Sequence, residues 1–238
     1  MKKLLLFIIV LTFSLSTAFA HEIEFRNMDW LISLEDFENA LTAEGISFKH
    51  DITYVNHGYT QGSWSCFAGI EPWWYYEKIP QYCKRYKSTN DDYLCSAGGY
   101  EVSAIDAEFL PHHNPQTGYI YTTGGVHCDL VRASYQLYGK KTSGGYVELE
   151  VCYQDMVSKL QLVYGTPSGT EKNYGGGETT FWHKDDGSAV SVTITYAGLN
   201  GWVMIDYAWT LEKDYVMQLN EIITQQDALE VSSNLDGL

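Results

Sequence analysis

The chain has 238 residues and a formal net charge of −15, with 45% hydrophobic and 19% charged residues. That hydrophobic share suits a buried core rather than a disordered chain. An acidic surface repels phosphate backbones and anionic lipid headgroups, which argues against nucleic-acid and membrane-surface functions.

Residues 1 to 20 have the order of a secretory leader: Lys2 and Lys3, an apolar run from Leu4 to Leu15, then Ala18-Phe19-Ala20. The run is too short to span a bilayer. No cysteine stands beside the cleavage position to take a lipid. The expected working protein starts near His21 and is secreted, extracytoplasmic and without a membrane span. Such a route permits disulfides. There are five cysteines, Cys66, Cys83, Cys95, Cys128 and Cys152, so at least one is left over. A local staple is expected among Cys66, Cys83 and Cys95, with the pairing left open. These three lack the close CxxC pairs of a structural zinc site.

In chain order, Ser33 is the expected cap of a first helix, bonding the amide of Asp36, with Leu34, Phe37 and Leu41 as its buried stripe and Gly45 as its end. Trp30 is placed to fold onto Leu34 or Phe37, and Ile46 to Val55 reads as a strand. Residues 56 to 95 show no sustained alternation and read as a long irregular insertion. Strands are then expected from Tyr100 to Phe109, Tyr119 to Thr123 and Val126 to Tyr138, with a turn cluster from Pro111 to Gly118.

A second helix, somewhere from Tyr146 to Tyr164, carries Leu149, Cys152, Met156, Leu160 and Val163 at helical spacing and stops at Gly165 and Pro167. Strands follow at Thr179 to His183, Ser188 to Ala197 and Trp202 to Trp209, with turns at Asp186-Gly187 and Asn200-Gly201. Thr210 can cap a last helix, Leu211 to about Leu229, before a flexible tail. The expected fold class is α+β: two tandem units, 21–140 and 141–210, each a helix packed on an antiparallel meander, then a C-terminal helix and tail at 211–238.

The run "YVELEVCYQDMVSKLQLVYGTP", with Trp182 and two hairpins after it, and the opening "MDWLISLEDFENALTAEG" resemble halves of uncharacterised secreted bacterial proteins with tandem helix-plus-sheet repeats. Their shape is similar to that of β-lactamase inhibitory protein. The resemblance rests on packing motifs and implies architecture, not chemistry.

For chemistry, "QGSWSCFAG" places Gln61 and Cys66 much as a papain-like peptidase places its oxyanion glutamine and nucleophile. The spacing is one residue short, and Pro72 and Pro80 follow where a long helix is required. Cys66 therefore reads as structural. His112, His113, His127 and His183 lack helical metal-ligand spacing. Asp106 and Glu108 share one strand face, as a paired acid and base can, but such a face more often meets water. No catalytic residue, metal or cofactor is assigned. From Tyr54 to Cys95, by contrast, eleven residues are aromatic and the four basic side chains match the four acidic ones. Trp64, Trp73, Trp74, Tyr75 and Tyr76 are the chosen binding residues, since Tyr and Trp combine large stiff area with a polar tip. The functional expectation is an exported, non-enzymatic recognition protein whose partner is an extracellular protein or glycan. A secreted hydrolase using Cys66, or a structural envelope component, is the alternative.

Overall fold

Ser33 acts as the sequence leads one to expect. Its Oγ accepts from the Asp36 amide at 3.1 Å and opens helix α1, Leu34–Ala43; Gly45, at φ +80°, turns the chain away. The computed structural model describes residues 23–57, 80–90, 92–114, 119–120, 128–173, 176–197, 200–209, 218–219, 221–226 and 228.

After α1 come β1 (Phe48–His57), β2 (Pro80–Ser88), β3 (Cys95–Ala97), β4 (Tyr100–Pro111), β5 (His113–Asn114), β6 (Tyr119–Ile120) and β7 (Cys128–Lys141). Helix α2 (Leu149–Tyr164) follows, then β8 (Gly169–Lys172), β9 (Glu178–His183), β10 (Ser188–Ala197) and β11 (Asn200–Trp209). The strands apart from β5 and β6 form one antiparallel sheet in the order β1-β2-β4-β7-β11-β10-β9-β8, with β3 on β4; β5 and β6 pair separately. The fold is thus α+β. Each helix precedes a run of strands that walks from an edge of the sheet to its centre, where β7 meets β11.

Two expectations are corrected. The insertion cannot be irregular over its whole length, because residues 80–88 are a strand paired on both sides, to β1 and β4. Tyr82 and Tyr86 join the helix-side core, and Lys84 reaches Glu38 of α1 at 2.9 Å. Arg85 and Lys87 line the opposite side. Charged residues occur on both faces, so no polar/apolar alternation is left to read. Likewise Asn200-Gly201 is strand rather than turn, since Ala197 pairs with Asn200 and Tyr196 with Gly201. A Cβ on Gly201 would sit 2.5 Å from the Thr195 carbonyl oxygen and 2.8 Å from Leu149 Cδ1. Glycine is needed there for close approach.

Both helices pack on one face of the sheet. A single apolar cluster joins Phe37 and Leu41 of α1, Cys152, Tyr153 and Met156 of α2, and Ile105, Phe109, Leu137, Val192, Val203 and Ile205 of the strands. Ile23 and Phe25 belong to it too. The Phe25 ring lies 4.8 Å from Tyr135, 5.5 Å from Tyr207 and 6.0 Å from Phe37 between centroids, wedging the N-terminal segment between α1 and the sheet centre. Of the second helical stripe, Cys152 and Met156 are buried as expected, whereas Val163 is exposed. On the other face, Leu219 and Ile223, within helical residues 218–219 and 221–226, pack on Leu110 and Val131. No described helix is long and apolar enough to cross a membrane.

Candidate functional site

Strand register, not sequence proximity, assembles the site. On the face away from α1 and α2, Arg85 of β2 stands opposite Asp106 of β4, Asp106 opposite Ser134 of β7, Ser134 opposite Asp206 of β11, and Asp206 opposite Ser191 of β10. The neighbouring row sets Glu108 opposite Arg132. Opposite charges placed directly across a strand pair attract. Glu108, Arg132, Ser134, Ser191 and Asp206 are all buried.

In this row Arg85 is tied at two points. Its Nε lies 3.2 Å from Asp106 Oδ1, and its Nη2 donates to Gln136 Oε1. Burial pushes the Asp106 carboxyl above its usual range, against the pull of Arg85 and Lys87. Asp206 is pushed further, to about 7: burial dominates, Asp106 adds repulsion, and Arg132 and the Ser134 hydroxyl only partly offset them. Asp206 Oδ1 is buried without a hydrogen-bond partner.

The row opens at Arg85 into a groove of about 550 Å³ lined by Lys49, Arg85, Lys87, Ser88, Asp92, Ser103, Ala104, Gln136 and Tyr138. Its size falls in the range of small-ligand sites. Lys49 and Lys87 are register partners across β1 and β2. Lys49, Arg85 and Lys87 bring three cationic side chains to its lining beside the Asp92 carboxylate, with Asp106 paired to Arg85, on a chain of net charge −15. A second cavity, of about 250 Å³, adjoins it. The two share Asp92, Ser103 and Tyr138, and the second adds Tyr93, Glu101, Lys140 and Tyr146. Lys140 is held 2.7 Å from Glu101.

The sequence-chosen binding residues Trp64, Trp73, Trp74, Tyr75 and Tyr76, together with Gln61 and Cys66, lie outside the described residues. No disulfide joins the described cysteines, so the expected staple does not link Cys83 to Cys95. These two lie on different neighbours of β4: Cys83 is opposite Glu108 and Cys95 opposite Val102. Burial pushes the thiols of Cys95 and Cys152 up to about 11, away from reactivity. Asp106 and Glu108 do share a face, but their partners are Arg85 and Arg132 rather than each other. The half-exposed His112, expected in a solvated turn, is held by Asp129 through Nδ1, at 2.8 Å from Oδ2. Among the described residues no serine, threonine or cysteine is hydrogen-bonded to that imidazole. Burial lowers the pKa of His183. No three described His, Cys, Asp or Glu side chains gather to hold a metal ion.

Sequence reasoning missed Lys49, Arg85, Lys87, Gln136 and Tyr138. The available signal was the run Lys84-Arg85-Tyr86-Lys87, a basic patch inside an acidic chain. No family model matches the chain, and no match is found among curated proteins or among solved structures.

Proposed function

We propose that this is an exported, non-enzymatic recognition protein, built as two like helix-plus-sheet units in the manner of the secreted repeat proteins its packing motifs resemble, which holds an anionic partner in the basic groove. The observation that carries this reading is the convergence of Lys49, Arg85 and Lys87 on one concavity of a chain whose net charge is −15. Asp106 and Gln136 hold the Arg85 guanidinium in place, so less of its freedom is lost on binding. Export is supported by the order of charges and apolar residues over 1 to 20, and two like units by the repeated edge-to-centre course of the strands.

The aromatic stretch is a separate arm of the same reading. His57 pairs with Pro80 and Lys49 with Lys87, so the strand ends that flank this stretch in the chain lie at the other end of the β1–β2 pair from the two lysines. The test is retention on immobilised polymers: polyglutamate and polygalacturonate as anions, dextran as the neutral control. Retention on the anionic polymers should weaken with salt and be lost in Lys49→Gln/Lys87→Gln, while Trp73→Ala/Trp74→Ala reports on the aromatic arm. An anionic polymer that fails to retain the protein, or retains it equally with both lysines replaced, overturns the groove as the site.

A further inference from the structure

Going beyond the groove, we infer that the smaller cavity is a separate subsite for a neutral saccharide, a β-1,4-linked pyranose unit lying against Tyr93, Tyr138 and Tyr146. Strand register builds it. Glu101 and Ser103 come from β4, Tyr138 and Lys140 from the adjacent β7, and Tyr146 is placed by its pairing with Lys140. Asp92 and Tyr93 stand just before Leu94, whose amide donates to the Val102 carbonyl of β4 at 2.8 Å. The three rings are exposed by 41% (Tyr93), 47% (Tyr138) and 74% (Tyr146). Large rings this open to water, grouped round one concavity, mark an interaction site rather than a core. At about 250 Å³ the cavity lies just below the size of a site for a drug-sized ligand and suits one sugar ring.

The charges select the class of ligand. Lys140 and Glu101 are already paired with each other, at 2.7 Å. Asp92 lines both cavities, with Lys140 beside it in one and Lys49, Arg85 and Lys87 in the lining of the other, so it offers no unopposed charge to a cation. An anion entering the smaller cavity meets the Asp92 and Glu101 carboxylates, and like charges repel. A neutral polyol meets neither obstacle.

The hydrogen-bonding groups narrow the class further. Asp92 Oδ1 accepts from the Tyr93 amide at 2.8 Å, which leaves the second oxygen as an acceptor. Ser103 donates to the Gln136 carbonyl at 3.0 Å and can still accept. Lys140 and the tyrosine hydroxyls supply donors. Saccharide hydroxyls donate and accept at once and so answer both kinds of group. A proline-rich peptide, the other neutral ligand that aromatic grooves take, brings carbonyl acceptors without amide donors and leaves Asp92 and Ser103 unanswered. Tyrosine rings also pack on apolar C–H faces, which are flattest in pyranoses with equatorial substituents and linkages, as in β-1,4-linked chains.

The test is isothermal titration of the full chain with cellohexaose and N-acetylchitohexaose, and with decaproline as the neutral peptide control. At least one of the two saccharides should bind tenfold or more tightly than decaproline, with an affinity that salt leaves unchanged. Tyr93→Ala/Tyr146→Ala should weaken that binding tenfold or more. Tyr93→Phe/Tyr146→Phe, which keeps the rings, should retain most of it. Both tyrosines are exposed, so both variants should melt with the native chain. Retention on polyglutamate reports on the groove and titration with neutral saccharides on the subsite, so either reading can fail while the other stands. The subsite is overturned if neither saccharide binds, if decaproline binds as tightly, or if saccharide binding is indifferent to Tyr93→Ala/Tyr146→Ala.

Discussion

Asp206 offers the sharpest energetic test of the buried charge row. The side chain is only 6% exposed, and burial lifts its carboxyl from 3.8 to about 7. The folded protein therefore holds this proton more tightly than the unfolded chain, and between those two pH values it carries more protons. Stability from this group is present below pH 4, falls as pH rises toward 7, and is level above that. At about 1.4 kcal/mol for each pH unit of displacement, the loss is about 4 kcal/mol. Asp206→Asn keeps the shape and cannot ionise, while Arg132 keeps Glu108 as its cross-strand partner. Urea unfolding of both proteins, followed by tryptophan fluorescence at pH 4, 6 and 8, isolates the row's titration, because carboxylates that do not interact with Asp206 cancel in the difference and only its neighbour Asp106 shifts with it. The variant should match the native chain near pH 4 and exceed it by about 4 kcal/mol at pH 8. A difference that stays flat across this range, or runs the other way, would refute a buried and largely uncompensated Asp206.

The helix-side core and the thiols give two further predictions. Phe37 is fully buried and its ring meets Phe25, Tyr86 and Phe109 at centroid separations of 5.5 to 6.0 Å; Phe37→Ala should cost about 3–5 kcal/mol in urea unfolding, and a loss under 1 kcal/mol would show that α1 does not close this core. With the Cys95 and Cys152 thiols held near 11, peptide mapping after brief alkylation at pH 7.5 should find both unmodified in the folded protein and modified in urea, whereas rapid native labelling of the partly buried Cys95 would contradict a thiol held that high.

What could be read in the sequence followed how local the signal was. The α1 cap needs only Ser33, Asp36 and Gly45, all within thirteen residues. The Asp186-Gly187 turn is equally local: Gly187 takes φ +86° and donates to the Lys184 carbonyl. Gly201 misled because the same residue type serves two purposes. Its neighbour Asn200 invites a turn, but its actual duty is to let Leu149 and the Thr195 carbonyl approach the strand. Strand β2 was hidden for a related reason. Period-two reading assumes one wet face and one dry face, whereas β2 puts Lys84 on the helix side, where Glu38 meets it, and Arg85 on the other, where Asp106 does.

The groove lay beyond local reading altogether. Lys49, Arg85, Gln136 and Tyr138 come from three strands and meet only because the β1–β2, β2–β4 and β4–β7 registers carry them onto one face. The same registers explain why that face is charged inside as well as at its rim. The helix-side face stabilises the fold by burying aromatic and aliphatic groups, a contribution that does not depend on which polar groups lie opposite. The opposite face can then carry Glu108 against Arg132 and Asp106 against Arg85. Buried ion pairs add little net stability over apolar packing, but removing one partner is costly. The pairing therefore bears on position more than on fold strength: with Asp106 and Gln136 holding two sides of its guanidinium, Arg85 is aimed where the sheet interior ends and the groove begins.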